Sequence, residues 1–153
     1  MKSVLKGETN KILILILLTL LFILWARVIS FEIRQGAFTQ NLDTVLKRVA
    51  CAEWFGWEVD PGSEKCEKIK IPNEFSDVYK NYNSLQKKSG FNLEHYKGKS
   101  VLKYTYIVLN PPKDSGSTFY VNLIIYEGEM IGGDVQTVEL NGVMLPLVRA
   151  RGE

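Results

Sequence analysis

The chain has 153 residues, with 19 Lys and Arg against 17 Asp and Glu and a single histidine. Residues 1–31 carry four of the basic residues and one of the acidic ones, which leaves the rest of the chain with a net charge of −1. This near-neutral remainder argues against a nucleic-acid or other bulk polyanion partner. Its size, about 120 residues, predicts one domain rather than two.

The first element is an uncharged apolar run of fifteen residues that starts at Ile12. A helix of this length rises only about 22 Å, short of a hydrocarbon core of about 30 Å. We therefore expect it to run on by about five residues, because an Arg near the interface can extend its side chain outward. Residues 12–31 predict a transmembrane helix in the lipid bilayer, with Trp25 and Arg27 as its interfacial anchor.

Three lysines and one glutamate precede this segment. That bias predicts a single-pass protein of the cell membrane with its N-terminus in the cytoplasm. The expected order is a cytoplasmic tail at 1–11, the transmembrane helix at 12–31 and an extracytoplasmic domain at 32–153. The alternative is a signal peptide that is cleaved after Val28-Ile29-Ser30 and releases a secreted protein. The length of the apolar run and the Arg before that site favour the anchor.

Both cysteines, Cys51 and Cys66, follow the membrane segment. If that side is oxidising, a disulfide between them closes a short loop and stabilises the fold by about 3 kcal/mol in the chain-entropy model. Two free, buried thiols are the alternative. Two cysteines and one distant histidine do not have the spacing of a recognised metal site, so no metal or cofactor is predicted.

Two amphipathic helices are predicted in the domain. Apolar residues recur every three or four positions from Phe38 to Phe55 and again from Asn73 to Ser89. Gly56 and Gly90 stand where a left-handed residue ends a helix. The second helix is expected to direct five residues towards the core: Phe75, Val78, Tyr79, Tyr82 and Leu85.

Five extended segments are predicted from alternating apolar and polar residues. They span 57–59, 67–71, 101–109, 118–126 and 130–138. Turns rich in Pro, Gly and acidic residues join the last three into an antiparallel meander, and Gly132-Gly133 indicates a β-bulge or a close backbone approach. The sequence therefore predicts an α+β fold in which helices pack on an antiparallel sheet, with one or both helices on one face. The residues after 140 are expected to form a turn and a weakly specified tail.

Several short motifs stand out between residues 71 and 142. They are Val78-Tyr79, Tyr82-Asn83, Leu85-Gln86, Gly90-Phe91, Tyr96-Lys97-Gly98-Lys99, Tyr104-Thr105-Tyr106 and Ile131-Gly132-Gly133-Asp134. In these motifs the chain resembles a family of uncharacterised single-span proteins of Gram-positive, often spore-forming, bacteria, which is classified as a domain of unknown function. The resemblance implies an N-terminal membrane segment and an extracytoplasmic domain. It implies no activity, substrate or catalytic residue.

The sequence offers one weak acid–base set, made of Glu94, His95 and Asp134. A His–Glu pair can perform acid–base catalysis if both side chains converge on a substrate. However, neighbours in a chain usually point apart, and no nucleophile motif accompanies these residues. A surface or loop-packing histidine is the simpler interpretation, and a structural bulge is the simpler interpretation around Asp134. No catalytic residue is therefore predicted.

These observations favour a membrane-anchored extracytoplasmic binding or regulatory module. It is expected to dock on another envelope or membrane protein, or on a peptide added at a sheet edge. The hypothesis rests on the lack of convergent catalytic groups in the sequence. Two alternatives stay open: a small envelope enzyme that uses Glu94 and His95, and a purely structural subunit of a membrane complex.

Overall fold

The computed structural model describes residues 2–112, 116–139 and 142–149. The chain divides into two compact units, residues 1–37 and 38–153. The first unit consists of one uninterrupted helix, α1 (Lys2–Thr39), which ends just inside the second. Its segment Lys11–Ser30 is long and apolar enough to cross a membrane, a property that a span shares with a signal sequence. The predicted tail is continuous with this helix from Lys2 onward.

The first helix of the second unit is shorter than predicted. α1 ends at Thr39, and the following segment contains Asn41 in the left-handed region, with φ 56°. α2 (Val45–Trp54) then begins after Thr44, whose hydroxyl accepts a backbone N–H from the first turn. The prediction of one helix from Phe38 to Phe55 is therefore wrong at its start, because the N-cap rather than the apolar periodicity determines where α2 begins.

A five-stranded antiparallel sheet forms the centre of the second unit, with its strands in sequential order. They are β1 (Lys65–Lys70), β2 (Ser100–Ile107), β3 (Phe119–Tyr126), β4 (Glu129–Thr137) and β5 (Met144–Pro146). β1 and β5 are therefore the two edge strands. The segment predicted as a weakly specified tail supplies β5, which pairs with β4. The short extended piece near Val59 forms only an isolated bridge with Val108.

The predicted bulge lies in β4. Ile124 pairs with Gly132, whereas the next residue of β3 pairs with Met130, so Ile131 is the extra residue. A Cβ built on Gly133 would lie 2.7 Å from a carbonyl oxygen of β3, closer than real side chains approach. The expected bulge and the close backbone approach are both confirmed.

The two helices of the second unit cover opposite faces of the sheet. α2 packs Cys51 into a first core that includes Leu123 of β3. α3 (Asp77–Lys88) packs Tyr82 against a second core that includes Ile124. Successive residues of a strand point to opposite faces, so these two neighbours in β3 belong to different cores. The predicted α+β class is confirmed, with a helix on each face.

The inward side of α3 is more polar than its apolar periodicity predicted. Asn83 and Gln86 are buried, whereas Val78, expected in the core, is 80% exposed. The side-chain oxygen of Asn83 accepts the N–H of Leu93 at 2.8 Å, and that of Gln86 accepts the N–H of Gly133 at 2.7 Å. The two side-chain oxygens thus accept backbone N–H groups from the 3₁₀ helix after α3 and from β4 beside its bulge, which offsets part of the cost of burying the amides. Nε2 of Gln86 makes no hydrogen bond within the described part of the chain.

The C-terminal segment is held by contacts with distant parts of the chain. The indole N–H of Trp57 donates to the carbonyl oxygen of Leu147, a completely buried residue. The guanidinium of Arg149 lies 4.8 Å from the centre of the Trp57 ring and donates to the carbonyl oxygen of Asn110 at 2.9 Å. These contacts fix the position of β5, which has little strand signal of its own.

Candidate functional site

The structure does not bring the predicted acid–base set together. Glu94 and His95 lie exposed in a short 3₁₀ helix after α3. Glu94 faces the ammonium of Lys87 at 3.6 Å, and the His95 ring lies 3.4 Å from the side-chain amide of Asn92. Asp134 is instead 2% exposed, with α3 and β3 supplying its hydrogen-bond partners. The weak surface site predicted from these three residues is therefore wrong in its inclusion of Asp134.

Asp134 is the centre of a buried hydrogen-bonded network that joins α3 to three strands. The hydroxyl of Tyr82 donates to its Oδ2 at 2.6 Å, and Nδ2 of Asn122 donates to its Oδ1 at 2.8 Å. The hydroxyl of Thr105 donates in turn to Oδ1 of Asn122 at 2.7 Å. Burial raises the pKa of the Asp134 carboxyl, although both donors favour its ionised form. With each carboxylate oxygen bonded inside the domain, this network fixes strand register and the position of α3.

A second charged cluster, on the α2 face, contains none of the residues that were predicted as a candidate site. Arg48 is 4% exposed and forms a two-pronged ion pair with Glu64, with N–O distances of 2.9 and 3.0 Å. Its guanidinium lies 4.0 Å from the centre of the Tyr104 ring, and Nε donates to the hydroxyl of Tyr106 at 3.1 Å. The Tyr106 hydroxyl donates to Glu64. The available sequence signal was the position of this arginine within the apolar stripe of α2.

The predicted disulfide between Cys51 and Cys66 is not formed, and both thiols are free. Cys51 is completely buried, with its sulfur 3.3 Å from that of Met130, and burial raises the pKa of its thiol to about 12. Cys66 is exposed on the edge strand β1. Because α2 carries the first cysteine into the core while β1 leaves the second at the sheet edge, the short spacing in sequence does not produce a bridge. The alternative of two free, buried thiols is correct for Cys51 alone.

The described residues contain no group of three or more His, Cys, Asp or Glu that could hold a metal ion. The two residues of the predicted membrane anchor, Trp25 and Arg27, lie exposed on α1. The Trp25 ring is 60% exposed, with its centroid 6.0 Å from that of Phe22. Their role at a membrane interface stays a prediction.

Half-buried rings and two lysines form a continuous surface around the second core, on the α3 face of the sheet. We call this the aromatic surface and define it by Phe75, Tyr79, Tyr96, Lys97, Lys99 and Tyr126. The Phe75 ring lies 4.6 Å from Tyr79 and 4.8 Å from the ammonium of Lys97. The Tyr126 ring lies 5.8 Å from Tyr96 and 5.6 Å from the ammonium of Lys99. Since Tyr96 and both lysines belong to one turn, these contacts connect the start of α3 to the end of β3.

Two further properties distinguish the aromatic surface from an ordinary solvated face. In the described part of the chain, no carboxylate lies within 4 Å of the ammonium of Lys97 or Lys99. Each ammonium instead lies near a ring, where cation–π attraction favours it. Val78, 80% exposed, lies one helical turn before Tyr82 in α3 and three residues after Phe75, which precedes the helix. The surface thus combines ring faces, phenolic hydroxyls and two positive charges that have no carboxylate partner among the described residues, and Val78 adds an exposed aliphatic side chain on the neighbouring α3.

These features define a class of protein, an α+β domain with helices on both faces of a five-stranded meander, preceded by one helix that could cross a membrane. A family model described as a domain of unknown function (DUF4830) matches residues 52–135. This is more than half of the chain, so the protein belongs to that family. No curated protein and no solved structure matches the chain. The matched segment contains the whole aromatic surface and the whole Asp134 network.

Proposed function

We propose that the protein is a membrane-anchored docking module whose domain lies outside the cytoplasm and binds another envelope or membrane protein through the aromatic surface. Residues 12–31 would anchor it in the bilayer. The lysines that precede this segment support a cytoplasmic N-terminus. The single observation that carries the proposal is the continuous surface of half-buried rings on the α3 face.

Half-buried aromatic residues have the properties of binding anchors. One side of Phe75, Tyr79 and Tyr126 packs against the second core, so their rotamers are restricted before any partner arrives. Binding then orders few side chains, which lowers its entropic cost. The exposed part of a tyrosine combines an apolar ring with a polar tip, and such rings are enriched at the centres of protein interfaces.

The charge of the surface favours an acidic segment on the partner. Lys97 and Lys99 lack carboxylate partners among the described residues and lie at the exposed rim of the rings. Carboxylates of a partner placed beside them would gain ion pairs without breaking any pair described in the domain. Such complementarity mainly speeds association and suppresses wrong partners.

The alternative of an envelope enzyme has no supporting observation among the described residues. Glu94 and His95 are exposed and bonded to local side chains, whereas Asp134 is buried in a network of its own. The alternative of a structural subunit is compatible with the same surface and differs only in whether the partner's activity changes on binding.

Two matched glutamate substitutions test the proposal. Val78 on α3 and Leu46 on α2 are both aliphatic, both helical and both 80% exposed, but they lie on opposite faces of the sheet. We expect Val78→Glu to reduce capture of the partner about tenfold, because a charge would be buried against its apolar contact and would repel its carboxylates. Leu46→Glu should leave capture unchanged.

The measurement is mild crosslinking of the full-length, tagged protein in native membranes, followed by quantification of its companions by mass spectrometry. Each variant is first checked for wild-type abundance and circular dichroism. Equal recovery of companions with both variants, or selective loss with Leu46→Glu, would contradict docking through the aromatic surface.

A further inference from the structure

The outer edge of β1 is free in the described part of the chain. β1 is the terminal strand of the sheet and pairs only with β2. Five of its six residues are exposed, and the sixth, Ile69, is half-buried. No proline interrupts the strand, and Pro72 follows it only after Ile71. An open strand edge of this kind is a template for pairing with another strand.

The direction of the free backbone groups follows from the register. Ile71, just beyond β1, donates its N–H to the carbonyl oxygen of Lys99 at 2.9 Å, towards the β2 side. In an antiparallel ladder, residues bonded to one neighbour alternate with residues that point the other way. Cys66, Lys68 and Lys70 therefore direct their N–H and C=O groups outward. These groups make no hydrogen bond within the described residues.

The side chains along this edge are self-complementary in charge. The sequence from residue 64 to residue 68 reads Glu-Lys-Cys-Glu-Lys. If two copies pair antiparallel with Cys66 opposite Cys66, Lys65 of each copy faces Glu67 of the other. Glu64, one step further out, is held by Arg48 of its own copy, so the two Lys65–Glu67 pairs carry the charge complementarity. Opposite side chains in an antiparallel pair share one face of the sheet, where such charge pairs are favourable.

The other symmetric registers of the same edge bring like charges together. A twofold axis at Lys68 or at Lys70 places two lysines opposite each other, and an axis at Glu67 does the same with two glutamates. An axis at Ile69 places Lys68 opposite Lys70. Like charges directly opposite are destabilising. The register centred on Cys66 also uses a residue whose backbone groups point outward, as a hydrogen-bonded pair requires.

We propose that β1 is the interface of a homodimer, in which the edges of two copies pair around Cys66 to give one continuous ten-stranded sheet. Pairing through one short strand buries less surface than stable soluble complexes do. Anchoring of both copies in one bilayer would compensate by raising their effective concentration. The dimer does not require the aromatic surface, so it stands independently of the proposed docking function.

Crosslinking through Cys66 tests this arrangement directly. Directly opposite residues of a hydrogen-bonded antiparallel pair have Cα atoms about 5.5 Å apart, within the range that a disulfide spans. Full-length protein in native membranes is treated with copper–phenanthroline and oxygen, which accept the two electrons and two protons that the thiols lose. We expect a disulfide-linked dimer that Cys66→Ser abolishes.

The register is tested by moving the thiol in a Cys66→Ser background. Lys65→Cys and Glu67→Cys, each expressed alone, place like thiols diagonally and more than about 7 Å apart, beyond disulfide reach. When the two variants are expressed in one membrane, a mixed dimer places the thiol at position 65 of one copy directly opposite the thiol at position 67 of the other. We expect a crosslink only in the mixture.

Charge-reversal variants show whether the charged residues of β1 form specific pairs across the interface or only prevent strand edges from pairing. With Cys66 present, Lys65→Glu and Glu67→Lys should each lower the yield of crosslinked dimer about tenfold, because attraction becomes repulsion in both symmetry-related pairs. Glu67→Lys also removes the ion pair with Lys103 of the same copy, so Lys65→Glu is the cleaner single variant. The double variant Lys65→Glu/Glu67→Lys should restore the yield. Absence of the dimer while Cys66 reacts with a maleimide would overturn the proposal. So would unchanged yields in the single variants, or a crosslink to a different polypeptide.

Discussion

Asp134 is held inside the domain by Tyr82 and Asn122, and this burial raises the pKa of its carboxyl above the ordinary value of 3.8. The folded protein therefore binds this proton more tightly than the unfolded chain does. The stability gained from the raised pKa is fully present below the unfolded value. It is lost as the pH rises through the folded pKa.

We expect Asp134→Asn to remove this pH dependence. The new amide can accept from Asn122 and donate to the Tyr82 hydroxyl, which is able to accept. Between about pH 4 and pH 7, the wild type should lose stability relative to the variant by about 1.4 kcal/mol for each unit of raised pKa. Urea unfolding in detergent, followed by tryptophan fluorescence across this pH range, measures the difference.

Asp77→Asn is the matched control, because Asp77 lies on the exposed side of α3 with a side chain 94% exposed. It should leave the wild-type dependence in this pH range in place. Parallel stability curves for the wild type and Asp134→Asn would show that the carboxyl does not titrate as its burial requires.

Individual polar residues were the hardest feature to predict from the sequence. The side-chain oxygens of Asn83 and Gln86 each accept a backbone N–H from another segment, and Arg48 pairs with a carboxylate from a distant segment. A periodicity analysis places Asn83 and Gln86 on the solvated side of α3, and it gives no partner for Arg48. It does so because the partners that offset the cost of burial come from elsewhere in the fold.

At the scale of elements, segments with strong local signals were predicted to within a few residues. β2, β3 and β4 follow alternating patterns, and the β3–β4 turn contains Glu127 and Gly128, both with positive φ. The start of α2 and the existence of β5 were missed. The first depends on the Thr44 cap, and the second on tertiary contacts such as the hydrogen bond from Trp57 to Leu147.

The glycine pair in β4 gives a prediction at the same scale. A Cβ at Gly133 would meet a backbone oxygen at 2.7 Å and two buried side chains within 3.0 Å. At Gly132 the nearest atoms are side-chain ends, the closest being Gln86 Oε1 at 2.9 Å. We expect Gly133→Ala to lower the free energy of unfolding by about 2 to 3 kcal/mol, and Gly132→Ala by less, because side-chain ends can move aside.

Urea unfolding of both variants under one set of conditions gives this comparison. Gly128→Ala serves as a reference, since space around that position is open and only its positive φ of 81° opposes a side chain. If Gly132→Ala lowered the free energy of unfolding more than Gly133→Ala does, the close approach of β4 to β3 would not be the reason for the glycine at position 133.

At the scale of the whole molecule, the sequence predicted the α+β class and the apolar helix because both depend on long, repeated patterns. It predicted neither the helix on each face nor the aromatic surface. Both features depend on the face of the sheet that each helix covers. No local periodicity in the sequence determines that face. Phe75 and Tyr126 lie far apart in sequence, and packing around the second core places them on the same surface.

Thiol labelling tests the proposed orientation in the membrane. A membrane-impermeant maleimide applied to intact cells should label Cys66 without prior reduction, because that thiol is free and exposed. Cys51 should stay unlabelled until the domain unfolds, since it is buried and the pKa of its thiol is about 12. Cys66→Ser is the control that should remove the signal. Labelling that requires cell lysis would reverse the orientation.

The central claim is that the aromatic surface contacts a protein partner. The most direct measurement places a photo-crosslinking amino acid at position 78 or at position 46 of the full-length protein and irradiates native membranes. Both positions are 80% exposed in the native chain. The account predicts a discrete protein adduct from position 78 only, lost when Lys97→Glu and Lys99→Glu are introduced together. Equal adducts from both positions, or none from position 78, would contradict it.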